Sequence, residues 1–118
     1  MAQTNFSEVK ANSGQFGTSQ ELTDNGAIAI KQGVVTLNKA GAIAATIANP
    51  TAGDDDFKRL TIVSVVAQTH TVTLTGGFGG GGGGEDVATF SGVIGDSLSL
   101  KAYQGKWYII GAHQVSIA

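Results

Sequence analysis

The chain has no cysteine and only one proline, one methionine and one tryptophan among 118 residues. Without thiols there is no disulfide framework and no thiolate nucleophile, so stability has to come from packing or assembly. Charge is scarce too: 14% of residues are Asp, Glu, Lys or Arg, the net charge is −2, and the seven basic residues are scattered. Nucleic-acid binding is therefore disfavoured, because no Lys/Arg stripe is present to displace counterions from a phosphate backbone. No apolar run approaches the ~18 residues that span a bilayer, so no membrane partner is expected. The opening Met1-Ala2-Gln3-Thr4-Asn5 lacks the basic and apolar regions of a secretory signal, and the expectation is a protein made in the cytoplasm.

Glycine is plentiful, at eighteen residues, and so are short β-branched runs bounded by turn residues. Candidate strands are Ala27 to Ile30, Val34 to Leu37, Ala42 to Ala48, Lys58 to Val66, His70 to Thr75, Val87 to Phe90, Ser97 to Tyr103, Lys106 to Gly111 and His113 to Ile117. Their lengths suit strands and are short for helices. The expected fold class is all-β, a small β-sandwich or jelly-roll-like body over residues 26–118. One domain is expected at this length, since domains run to roughly 100–200 residues. Residues 1–25 are mainly Ser, Thr, Asn, Gln and Gly, with Phe6, Val9, Phe16 and Leu22 spaced too irregularly for an amphipathic helix. They read as an extended arm whose apolar residues anchor on a partner, the plain alternative being a frayed terminus.

Two hairpins are expected. In the first, Gln104-Gly105 joins Ser97–Tyr103 to Lys106–Ile110, so that Ala102 faces Trp107, Leu100 faces Ile109, Lys101 sits opposite Tyr108 and Tyr103 opposite Lys106. Leu98, Leu100, Trp107 and Ile109 then belong to the core. In the second, Ala67-Gln68-Thr69 joins Lys58–Val66 to His70–Thr75, with the register left open between a two-residue and a three-residue turn.

Features that invite a chemical reading resist it on context. The glycine run Gly76 to Gly84, interrupted only by Phe78, could cradle an anion, but Glu85-Asp86 follow where a phosphate loop needs Lys and a hydroxyl. It reads as a loop between strands, or one that orders on a partner with Phe78 as its apolar contact. Asp54-Asp55-Asp56 lacks calcium-loop spacing and reads as a turn in which Asp54 or Asp55 accepts backbone N–H bonds, or as one side of an intersubunit ion pair with Lys58 or Arg59. His70 and His113 have no nucleophile or carboxylate motif beside them and read as structural. Trp107 and Tyr108 point to opposite sides of a strand, which leaves Tyr103, Tyr108 and Lys101 as a small exposed patch. No cofactor, metal site or enzymatic activity is expected.

The ordered series Ala48-Asn49-Pro50-Thr51-Ala52-Gly53-Asp54-Asp55, Lys58 to Ser64, His70 to Leu74, Ala88-Thr89-Phe90 and Ile94-Gly95-Asp96-Ser97-Leu98 through Gly105-Lys106-Trp107-Tyr108 resembles a pattern in tailed-bacteriophage virion proteins. It occurs in small head-decoration (capsid cement) proteins and in modules of tail-associated proteins. The resemblance spans residues 40 to 117; the chain departs from it in the long glycine loop and at Asp56-Phe57, where the pattern commonly has a glycine. It implies a β-sandwich body, commonly trimeric, on the outer surface of the capsid, with the major capsid protein as partner. On that expectation Phe6, Val9, Phe16 and Leu22 contact the shell, and Asp54, Asp55, Lys58, Arg59, Phe78, Tyr103 and Tyr108 are candidates for subunit interfaces. A tail-associated module that binds a host glycan is the alternative.

Overall fold

The computed structural model describes residues 18–79 and 85–118, and every regular element in them is a strand. In chain order these are β1 (Thr18–Leu22), β2 (Gly26–Ile28), β3 (Gly33–Leu37), β4 (Ala44–Ile47), β5 (Arg59–Ser64), β6 (Thr71–Leu74), β7 (Val87–Phe90), β8 (Ser97–Tyr103), β9 (Lys106–His113) and β10 (Val115–Ile117). They form two five-stranded sheets, ordered β9-β8-β5-β3-β1 and β10-β7-β6-β4-β2. The all-β, two-layer expectation holds.

The path between the layers is a coil. Successive strands from β1 to β6 alternate between sheets, and each of β1 to β4 pairs in parallel with the strand two places on. The rungs are in step: Leu22 aligns with Leu37 and Ser64, and Ile28 with Ile47 and Leu74. Inward residues therefore stack in columns between the sheets. The buried core takes its largest members from Trp107, Phe90, Leu37, Ile43, Leu60, Ile62, Leu74, Leu98 and Leu100. Buried and more exposed residues alternate along β5 and β6, the period-2 pattern of a half-buried strand. After β6 the pairing turns antiparallel: β7 lies beside β6, β8 beside β5, and β9 and β10 close the two layers.

The β8–β9 hairpin has the expected register, with Ala102 opposite Trp107, Leu100 opposite Ile109, Lys101 opposite Tyr108 and Tyr103 opposite Lys106, and a bulge follows at Ile110. Gln104 and Gly105 both adopt positive φ, at 48° and 79°, as a tight primed turn requires. Trp107 is fully buried, and its indole N–H donates to the Ala48 carbonyl at 2.9 Å.

Two expectations are corrected. Lys58–Val66 and His70–Thr75 do not form a hairpin, because β5 and β6 belong to different sheets. Apolar residues on both strands have to face a common core, so the turn between them crosses from one layer to the other. The arm does not run to residue 25: Thr18–Leu22 pairs with β3 as an edge strand, and Leu22 packs against the core, so it is not free to anchor on a partner. Phe6, Val9 and Phe16 lie outside the described residues.

Candidate binding face

The loop from Asn49 to Lys58 is held by the acidic cluster. Asp55 is buried; one carboxylate oxygen accepts the Thr51 amide at 2.7 Å and the other pairs with the Lys58 ammonium. Its pKa is lowered, chiefly by the bond from Lys58 and then by the Thr51 amide. Asp56 accepts from the Gln104 backbone at 2.8 Å, from the Gln104 side-chain amide at 2.8 Å and from the Gly53 amide at 3.2 Å. The loop is thereby tied to the β8–β9 turn, 48 residues away in sequence. Asp55 and Lys58 pair within one chain, and the Thr51 bond makes Asp55 the backbone-amide acceptor of the turn. Asp54 and Arg59 are exposed.

This anchoring presents Phe57. Its φ is 71°, a left-handed conformation uncommon for a bulky side chain, and 61% of the residue is exposed. The backbone is locked there because the Phe57 amide donates to the Ala102 carbonyl at 2.6 Å and the Ala102 amide to the Lys58 carbonyl at 2.8 Å. The ring lies 5.5 Å from that of Tyr103 at 38°, and the Lys101 ammonium sits 5.6 Å from its centroid, within cation–π range. Phe57, Lys101, Tyr103, Tyr108 and Ile110 line an open groove of about 330 Å³ on the outer face of the first sheet.

Sequence alone places Tyr103, Tyr108 and Lys101 on one surface, and the fold brings them together. Phe57 and Ile110 were not foreseen: Phe57 arrives from a loop distant in sequence, and Ile110 is turned outward beside the bulge. The departure from glycine at Asp56-Phe57 was the one sequence signal for Phe57, and the positive φ there explains why glycine suits that position.

Phe78, expected as an exposed loop contact, is instead buried at 3% exposure within the core. Its amide donates to the Glu85 carbonyl, and the Gly79 amide donates to the Trp107 carbonyl at 2.8 Å. An apolar ring beside a sheet edge is more stable inside than in solvent, and the flanking glycines allow the close approach.

The remaining buried polar groups serve the scaffold. Asp96 accepts from the Ser91 hydroxyl at 2.7 Å and from the Gly92 and Val93 amides at 3.1 Å, holding a loop that exposes Val93 and Ile94. His70 is fully buried; Nδ1 accepts the Ile43 amide at 2.9 Å, which puts the proton of the neutral ring on Nε2, and burial lowers its pKa. His113 is exposed on β9. Among the described residues no group of three or more His, Cys, Asp or Glu side chains is arranged to hold a metal ion.

Compared with family models, curated proteins and solved structures, the chain matches none.

Proposed function

We propose that the chain is a virion structural protein: a decoration, or cement, protein that binds the outer surface of a phage head as a homotrimer and stabilises it. The major capsid protein is its partner. The observation that supports this most is where the residues of the resemblance fall. Asn49 to Asp55, Ile94-Gly95-Asp96 and the turn before Lys106 are the places where carboxylates and positive-φ glycines hold the loops. Short apolar strands are interchangeable between β proteins, whereas such turn chemistry is specific to one chain path. Residues 1–17 precede β1 and carry Phe6, Val9 and Phe16 as shell contacts. Weak contacts of this kind are multiplied by trimer valency and by lattice repetition.

Deleting residues 2–17 leaves a folded trimer by light scattering that no longer sediments with undecorated capsids of the encoding phage. A monomer, or a full-length protein that ignores those capsids, would refute the proposal. The exposed aromatic groove favours a second reading, a tail-associated host-recognition module. Gold labelling of virions separates the two by position, on the head or on the tail.

A further inference from the structure

Two features that cost the folded state stability meet on the outer face of the first sheet. One is Phe57, with its left-handed backbone and an aromatic ring left mostly in solvent. The other is a like-charge pair: Arg59 on β5 stands directly opposite Lys101 on β8, and Lys101 in turn opposite Tyr108 on β9. Like charges directly across a ladder repel. Among the described residues the ion pairs are Lys39–Asp24 and Lys58–Asp55, so neither Arg59 nor Lys101 is neutralised there. Lys106, opposite Tyr103, adds a third cation to the same face. A chain with seven basic residues and a net charge of −2 thus sets three of them around one aromatic groove.

We propose that this face binds an acidic polysaccharide, a linear chain of carboxylate-bearing pyranose rings. The C–H face of a sugar stacks on Phe57, Tyr103 and Tyr108, and its carboxylates meet Arg59 and Lys101, whose repulsion they relieve. A peptide laid down as an extra strand fits less well. At the groove the β9 edge is met by Gly79, which bonds to Trp107 and bridges to Tyr108, so an added peptide strand would have to displace it to pair along that stretch. Recognition falls to ring faces and cations, the pairing that suits a charged sugar. The inference does not rest on the decoration proposal, and failure in a capsid assay leaves it standing.

The test is titration of the full-length protein with polygalacturonate, its fully methyl-esterified form and polyglutamate, at low and at physiological salt. Polygalacturonate is expected to bind, the neutral ester at least tenfold more weakly, and polyglutamate weakly. Phe57→Gly suits the local φ and keeps the melting temperature, yet is expected to lower affinity at least tenfold. The double variant Arg59→Gln/Lys101→Gln is expected to lose the preference for acid over ester and most of the salt dependence. Absence of polygalacturonate binding, equal binding of polyglutamate, or unchanged affinity in a folded Phe57→Gly protein would each overturn the proposal.

Discussion

At Asp96, burial pushes the carboxyl towards protonation, but hydrogen bonds from Ser91, Val93 and Gly92 outweigh it and the pKa is lowered. Replacing Asp96 by Ala removes three acceptor bonds from a buried site, an expected loss of about 2 kcal/mol measured by urea denaturation. His70 shifts down for a single reason, burial of the ring. The unfolded chain then binds a proton more readily than the folded one as pH falls below about 6.5. Stability is full above that value and declines from there towards the depressed native pKa, with a second decline as Asp24, Asp55 and Asp96 protonate below the ordinary carboxylate range near 3.8. Melting temperature followed against pH should show the first decline in the native chain and not in His70→Gln. Phe57→Gly exchanges a strained left-handed residue for one that tolerates it, against the entropy glycine adds to the unfolded chain, so the net change in stability is expected within about 1 kcal/mol of zero.

Among the elements, β8 and β9 were the most legible, because a two-residue turn fixes register and places four large apolar residues on one side. β7 and β8 have the bounds read from sequence, Val87–Phe90 and Ser97–Tyr103. β1 was missed because Thr18-Ser19-Gln20-Glu21-Leu22 shows no alternation; an edge strand needs one neighbour and little burial, so its composition carries little signal. Its place is fixed by contacts from afar, among them both amide atoms of Gln20, which bond to the backbone of Ala29. Gly79 shows the same dependence on context. A Cβ there would lie 2.9 Å from the Tyr108 ring, a distance real Cβ atoms essentially never show. Gly79→Ala should displace that exposed ring and weaken polygalacturonate binding, while stability falls by only about 1 kcal/mol because the ring can swing into solvent.

For the whole molecule, the coil of parallel rungs makes the point of truncation decisive. Removing residues 2–17 spares every described strand, whereas removal through Asn25 strips β1 and with it the cover over β3. The shorter deletion should keep a cooperative thermal transition, and the longer one should lower the midpoint by several degrees or bring on aggregation, as calorimetry would show. The coil was not legible in the sequence. Ala67-Gln68-Thr69 reads as a hairpin turn from its length, and whether a short turn returns along the same sheet or crosses to the other depends on which faces find a core. Those faces are set by pairings between residues far apart, such as Leu60 with Leu100 and Gly33 with Leu60.

By itself the sequence determined that this is an all-β chain without thiol chemistry, with Leu98, Leu100 and Trp107 inside and Tyr103, Tyr108 and Lys101 outside, because period-2 alternation and turn residues act over neighbouring positions. Only the tertiary structure decided that Leu22 and Phe78 pack inward, that Asp55 serves its own Lys58, and that Phe57 completes an aromatic groove beside Arg59. Each of those outcomes depends on contacts between segments that the chain brings together only when it folds.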